Sequence, residues 1–425
     1  MKRTISIAFA AMMLILSVSA QTARQQIADN PYLCGSNYID YDNYPATAAL
    51  TPTPKGYEVF YMSHYGRHGS RWLIGEWQYN EPLATLRKAK AEGKLTPTGE
   101  RVLAEFETFY TTTPKRHGDL TTVGERQHHG IGRRMTEHFL ELFKRKNLPI
   151  DARSTVVPRC ILSMVAECEE LMAFNPTARI HNDVSQSLQY YLNQDWDGKV
   201  REQGRKGGSV KEDYKNRYTH SERFSSVFFN DQQWVSDSIN AGHFMRLFFT
   251  VAANMQSHEG SPNFLQYFTA DELYDQWRIN NVSWYISYGP SPITEGVMPF
   301  SQRNLLRNII ETADTVTQPQ ATLRFGHEVC VMPLACLLEL GTCGAVVENL
   351  DTLDNVWRNY DIFPMGCNIQ LVFYRPKKGR EGDVLVNALL NEREVSMPVS
   401  TTQYPYYRWV DLRTYYMRKL DQFGE

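Results

Sequence analysis

Gly56-Tyr57-Glu58-Val59-Phe60-Tyr61-Met62-Ser63-His64-Tyr65-Gly66-Arg67-His68-Gly69-Ser70-Arg71 is the stretch that decides how this chain is read. Its first half, 56–63, is an apolar, aromatic-rich run of strand character. Its second half sets an imidazole, His68, between two guanidiniums, Arg67 and Arg71, with Gly69 keeping the backbone open. Arginine presents planar, bidentate donors to phosphate oxygens, so two of them together recruit a phosphate. A neutral imidazole beside that phosphate can attack phosphorus in line. A histidine with no such task would gain nothing here, because the flanking cations only depress its pKa. The stretch therefore predicts a strand that ends in a nucleophile and an anion clamp.

Three later stretches also read as strands: 149–154, 321–326 and 368–375. The first runs into a helix over 157–173 with Thr155 as its N-cap; Pro158 is tolerated there because first-turn amides lack helical partners. The second ends at His327-Glu328, followed by a short helix with Pro333 in its first turn and Gly341 as its stop. The third leads into a charged hairpin with Gly379 and Gly382. Strands alternating with helices predict an α/β fold, a mostly parallel sheet flanked by helices. Sites in such sheets form at the carboxyl ends of strands. Three of these ends carry Arg67, His68 and Arg71, then Arg159 one helical turn further on, then His327 and Glu328. Arg159 follows a strand in an otherwise apolar helix, which makes it a third clamp cation. His327 is placed to donate to a phosphate, and Glu328 to protonate a leaving oxygen. A glutamic acid has a reference pKa of about 4.3; a phosphate raises it and the arginines lower it, so the expected working pH is acidic to neutral.

Other chemistries lack their signatures. A zinc protease needs His-Glu-x-x-His, but residue 331 is Val. There is no Gly-x-Ser-x-Gly elbow, no Walker loop and no dinucleotide Gly-x-Gly-x-x-Gly after a strand. His128-His129 is adjacent rather than spaced for a metal, so neither a metal nor a cofactor is expected. A second Arg-His-Gly, at Arg116-His117-Gly118, continues with Asp119 and follows no strand; it reads as a surface turn before a helix. The seven cysteines are odd in number and contain no Cys-x-x-Cys. At least one thiol is therefore free in a monomer, and Cys330, Cys336 and Cys343 fit buried small hydrophobes.

The chain has 425 residues, with 45 Lys+Arg against 47 Asp+Glu and a net charge of -2, which gives no reason to expect nucleic acid as a partner. Lys2-Arg3, a mostly apolar run over 5–18 and Val18-Ser19-Ala20 read as a secretory signal peptide, 1–20, cut after Ala20. The apolar run is shorter than the ~20 residues a membrane span needs, and no later segment suffices, so no stable membrane anchor is expected. Residues 21–175 and 316–425 read as an α/β catalytic core, and 176–315, rich in Tyr, Trp, Phe and Asn, as a mainly helical cap inserted into it. Helical periodicity runs over 234–256. The cap's stretch 199–223 holds eight Lys or Arg against four acids. This is either a solvated mixed-charge face or a wall that attracts a multiply charged anion.

Taken together, these residues resemble the histidine acid phosphatases, the two-domain branch of the histidine phosphatase superfamily. The matching pieces are Ser63 through Arg71; Leu120-Thr121 with Gly124 and Gln127; Arg153-Ser154-Thr155 with Arg159 and Ser163; and Phe325-Gly326-His327-Glu328. The region from Tyr360 to Arg375 is similar to the family's C-terminal part. The resemblance implies a phosphoric monoester hydrolase in which His68 becomes a phosphohistidine. Arg67, Arg71, Arg159 and His327 would hold the phosphoryl oxygens, and Glu328 would protonate the leaving alcohol. The signal-peptide reading makes this an exported enzyme, periplasmic or secreted, acting on a small phosphorylated substrate, with inositol polyphosphates such as phytate as first expectation. One departure stands out: most members carry His-Asp here and the inositol polyphosphate phosphatases His-Ala-Glu, whereas this chain has His327-Glu328. A general acid or sugar-phosphate phosphatase remains an alternative, as does a non-catalytic anion-binding protein on the same scaffold.

Overall fold

The computed structural model describes residues 21–43 and 49–424, so the expected signal peptide, 1–20, lies outside the described residues. The strands are β1 (Tyr57–Arg67), β2 (Pro149–Ser154), β3 (Arg179–Asp183), β4 (Gln320–Gly326), β5 (Asn368–Pro376), β6 (Leu385–Leu390), β7 (Arg393–Val395) and β8 (Tyr407–Arg408). They form one sheet in the order β3-β2-β4-β1-β5-β6-β7, with β8 on β6. β1 is buried from Val59 to its end, as a central strand covered on both faces must be; its apolar run accordingly shows little alternation. The strands β3, β2, β4 and β1 are mutually parallel, and the C-terminal third of the chain adds antiparallel partners from β5 onward. This is the helix-flanked α/β sheet that the sequence implies.

Register sets the site. Arg67 lies opposite Gly326, and Ser154 opposite Phe325. Three adjacent parallel strands therefore stop at one edge, and the residues that follow them, His68, Thr155 and His327, emerge side by side.

Several local expectations are corrected. The helix after β2 spans Pro158–Phe174 with Val157, not Thr155, at its N-cap. Proline's fixed φ starts the helix at Pro158, which frees the Thr155 hydroxyl to approach His327 Nε2 at 3.4 Å. The helix after β4 starts at Glu328 and runs to Leu337, so Pro333 sits inside it rather than in its first turn. A proline there leaves the carbonyl four residues back, that of Val329, without its helical N–H. Gln194 Nε2 donates to that carbonyl at 2.9 Å. The periodic stretch 234–256 is two helices, Gln232–Ser238 and Ala241–Asn254. The break comes where the Asn240 side chain accepts the His243 N–H at 2.9 Å and caps the second helix.

Those helices join Trp77–Ala91 and Pro97–Tyr110 in a cluster rich in phenylalanine, including Phe106, Phe224, Phe228, Phe244 and Phe248. Asn254, at the end of its helix, donates to the Arg71 carbonyl at 3.0 Å and ties this layer to the end of β1. Of the cations in 199–223, Lys206, Lys215, Arg217 and Arg223 each pair with an acid, as a solvated mixed-charge face does. All seven cysteines are buried and unpaired. Among the described residues no helix is long and apolar enough to cross a membrane.

Candidate active site

The backbone after β1 is fastened atom by atom. The Arg67 and His68 amides donate to the carbonyls of Cys367 (2.8 Å) and Gly326 (3.0 Å). The Gly69 amide donates to Ser163 Oγ at 3.0 Å and the Ser70 amide to Gln127 Oε1 at 2.8 Å. The Ser70 carbonyl accepts from the Thr121 amide at 2.9 Å. Gly69 is required by proximity: a Cβ there would lie 2.3 Å from the Gly124 carbonyl oxygen. Thr121 caps the helix Thr122–His138, and this helix and Pro158–Phe174 supply Gln127 and Ser163. In the sequence these two side chains belonged only to the resemblance; the fold gives them the task of holding the loop.

On this loop the side chains converge. His68 is fully buried, and its Nδ1 lies 2.8 Å from the Gly69 carbonyl oxygen. That oxygen can only accept, so Nδ1 carries the proton and Nε2 keeps its lone pair. Nε2 faces Glu328 Oε2 at 3.6 Å. Arg67, also fully buried, places Nε 3.1 Å from the same oxygen while its Nη1 donates to the carbonyls of Asn37 (2.7 Å) and Phe363 (3.1 Å). Arg71 Nη2 reaches Glu328 Oε1 at 3.8 Å. The His327 ring stands edge-on to His68, with centroids 5.6 Å apart. Arg159 is half-buried and donates from Nη1 to the Gly118 carbonyl at 3.3 Å. The turn 116–119 therefore stands directly behind Arg159, although its own Arg116 is exposed and paired with Asp119 at 3.1 Å.

Charge follows from this packing. Burial, reinforced by Arg67 and Arg159, pushes the His68 pKa well below 6.5 and outweighs the pull of Glu328. The nucleophile candidate is thus a neutral imidazole. Burial lowers His327 to about 4. Burial works to raise Glu328, but the guanidiniums of Arg67 and Arg71 outweigh it and hold the carboxyl well below 4.5. The Nη2 of Arg67, the Nε of Arg71 and the Nε of Arg159 are buried donors without a hydrogen-bond partner, and the Nε2 of His68 is buried with none for its lone pair. Orphaned buried donors are costly and rare. Arg67 and Arg71 both lie against Glu328, and Arg67 and Arg159 both act on His68, so these donors belong to one cluster whose charge suits an anion.

His68, His327 and Glu328 could bring three ligand atoms within 4.8 Å of one another. Three arginines around them would repel a metal cation, so the donor set suits an anion instead. The sequence-predicted residues Arg67, His68, Arg71, His327 and Glu328 are thus brought together, with Arg159 beside them. What sequence reading passed over is Thr155 at His327, the Gly118 carbonyl at Arg159 and Tyr38, whose ring lies 5.6 Å from the Arg71 guanidinium carbon.

No protein family and no curated protein matches the chain by sequence. Solved structures do. Bifidobacterium longum multiple inositol polyphosphate phosphatase in complex with inositol hexasulfate matches with a TM-score of 0.67 at 19% identity, over 91% of this chain and 97% of that one. The phytase of D. castellii matches with a TM-score of 0.68 at 13% identity, over 92% and 85%. Hafnia alvei phytase in complex with tartrate matches with a TM-score of 0.56 at 13% identity, over 87% and 98%. The chain has the fold of these phosphatases. It is the fold implied by the resemblance to the histidine acid phosphatases. At such low identity the likeness fixes the architecture, and the activity has to be argued from the side chains.

Proposed function

We propose that the protein is a phosphomonoesterase that passes the phosphoryl group through His68, with inositol polyphosphates such as phytate as its substrates. The observation that carries this reading is the partnerless buried donors Arg67 Nη2, Arg71 Nε and Arg159 Nε, gathered in the same cluster as the free Nε2 of a neutral His68. The fold shared with an inositol polyphosphate phosphatase and with phytases supports the substrate class.

The steps follow from the charges. An incoming phosphate monoester dianion competes with Glu328 for the guanidiniums, and its negative charge raises the carboxyl's pKa, so that Glu328 can hold a proton. His68 Nε2 attacks phosphorus, the bond from phosphorus to the ester oxygen breaks, and that oxygen takes the proton from Glu328. Water then attacks the phosphohistidine, the N–P bond breaks, and the Glu328 carboxylate takes the water's proton. The arginines and His327 stabilise charge on the equatorial oxygens in both steps, which is where most of the acceleration in phosphoryl transfer arises. The enzyme works after export, with 1–20 removed; the mature chain then begins at Gln21, which N-terminal sequencing checks.

Purified protein is expected to release several phosphates from phytate, and acid quenching during turnover should trap a phosphorylated protein that His68→Ala cannot form. Unchanged turnover in His68→Ala refutes the mechanism. Activity confined to sugar or aryl phosphates refutes the substrate class and leaves a general phosphatase.

A further inference from the structure

Beneath the nucleophile lies a buried trio that the proposed chemistry does not use. His64 on β1, His128 on the 122–138 helix and Glu167 on the 158–174 helix are 1%, 1% and 0% exposed. His128 Nε2 is 3.0 Å from the carbonyl oxygen of Arg67, and its Nδ1 is 3.1 Å from Glu167 Oε2. A carbonyl only accepts, so Nε2 bears a proton and Nδ1 is the atom turned to the carboxyl group. The other carboxyl oxygen of Glu167 lies 3.9 Å from His64 Nε2. Room for His64 comes from Gly66, where a Cβ would fall 2.6 Å from His64 Cε1. The two helices approach closely at Gly132, where a Cβ would meet the Glu167 carbonyl oxygen at 2.9 Å.

The carbonyl that His128 grips belongs to the peptide unit joining Arg67 to His68. The N–H of that unit is already fixed to the Gly326 carbonyl at 3.0 Å. Pinned at both ends, the plane cannot rotate, and the direction in which His68 leaves the backbone is set. The pattern is shared between the helices: one brings Gln127 and His128, the other Ser163 and Glu167, and three of these four reach the 67–70 backbone directly. Glu167 does not. Its contact is with His128, and it sets which way that ring faces.

We propose that His128, oriented by Glu167, is a positioning residue for phosphoryl transfer: it locks the Arg67–His68 peptide plane and thereby the line along which His68 Nε2 meets phosphorus. The proposal deepens, and rests on, the phosphatase reading of the site. It separates attack from binding, because the Arg67 guanidinium is held separately by the carbonyls of Asn37 and Phe363, and Arg71 and Arg159 hang from other peptide units.

His128→Phe keeps a ring of similar size and removes the donor, whereas His128→Gln restores an N–H at a similar reach. In His128→Phe, kcat should fall about 10- to 100-fold, the penalty of a nucleophile out of line, while the Ki of inorganic phosphate stays within about twofold of wild type. His128→Gln should regain most of the lost rate. Glu167→Gln, which can still bond Nδ1, should exceed Glu167→Leu in kcat by about tenfold; this pair carries the test if His128→Phe does not fold. Wild-type kcat in His128→Phe, a phosphate Ki that worsens in step with kcat, or equal rates in the two Glu167 variants each overturn the proposal. A wild-type protein that turns over no phosphomonoester would instead bring down the site reading on which it rests.

Discussion

Replacing Glu328 by Gln probes the electrostatic core of the site. Glu328 is the acid paired with Arg67 and Arg71 among the described residues, at 3.1 and 3.8 Å. At an effective dielectric constant of about 20, the closer pair alone is attracted by about 5 kcal/mol before desolvation is subtracted. The Arg67 side chain is fully buried and that of Glu328 only 11% exposed. Removing one partner of such a buried pair costs about 3 to 5 kcal/mol, because the other charge is left uncompensated. Glu328→Gln should therefore unfold at a lower temperature than wild type in phosphate-free buffer. Added phosphate should stabilise it more than wild type, since the dianion no longer competes with a carboxylate. Net of screening, the loss of that competition should tighten phosphate binding about 10- to 100-fold, or about 1.4 to 2.7 kcal/mol. Catalysis should move the other way. Without a proton for the leaving oxygen, kcat on an alkyl phosphate should drop about 10²- to 10⁴-fold, and on an aryl phosphate with a good leaving group much less. Thermal scans with and without phosphate, titration calorimetry and the two substrates read all of this. Equal unfolding temperatures together with equal phosphate affinities would refute Glu328 as the counter-ion of the clamp. Equal losses on the two substrates would refute it as the proton donor.

Gly69→Ala drives a Cβ into backbone atoms of Gly124 as close as 2.3 Å, and backbone cannot swing aside. It should cost about 1 to 3 kcal/mol of stability and abolish turnover by displacing the loop that presents His68; denaturant unfolding and steady-state rates check both, and a fully active variant would show that the loop can yield. The pH dependence of folding has a definite sign. Burial lowers His64 and His327 from 6.5 to about 4. Between those values the unfolded chain binds protons that the folded chain refuses, so stability falls as pH drops from 6.5 toward 4 and the effect is absent above 6.5. The unfolding midpoint in phosphate-free buffer should follow this slope, and His64→Phe should flatten it; an unaltered slope in that variant would contradict the assignment of His64 as a neutral buried ring.

What the sequence determined by itself was whatever chemistry is carried by covalent neighbours. Arg67, His68 and Arg71 are close in the chain, so their combination was legible, and so was the strand before them, written in apolar and aromatic residues. The strands 149–154, 321–326 and 368–375 lie within about a residue of β2, β4 and β5. Arg159, His327 and Glu328 were candidates because open sheets present their carboxyl ends to ligands, but their meeting depended on the order β2-β4-β1 and its register, which no local pattern encodes. Tertiary structure also decided the helix ends. Pro158 displaced the cap from Thr155, Pro333 was accommodated in mid-helix because Gln194 from another segment serves the stranded carbonyl, and Asn240 divided a periodic run in two. The charge states belong to the same class: His68 is neutral and Glu328 ionised because of burial and of guanidiniums brought in by the fold. Side-chain identity sets what a group can do. Which proton it holds, and what it faces, is fixed by desolvation and by the field of atoms distant in sequence, and those exist only once the chain has folded.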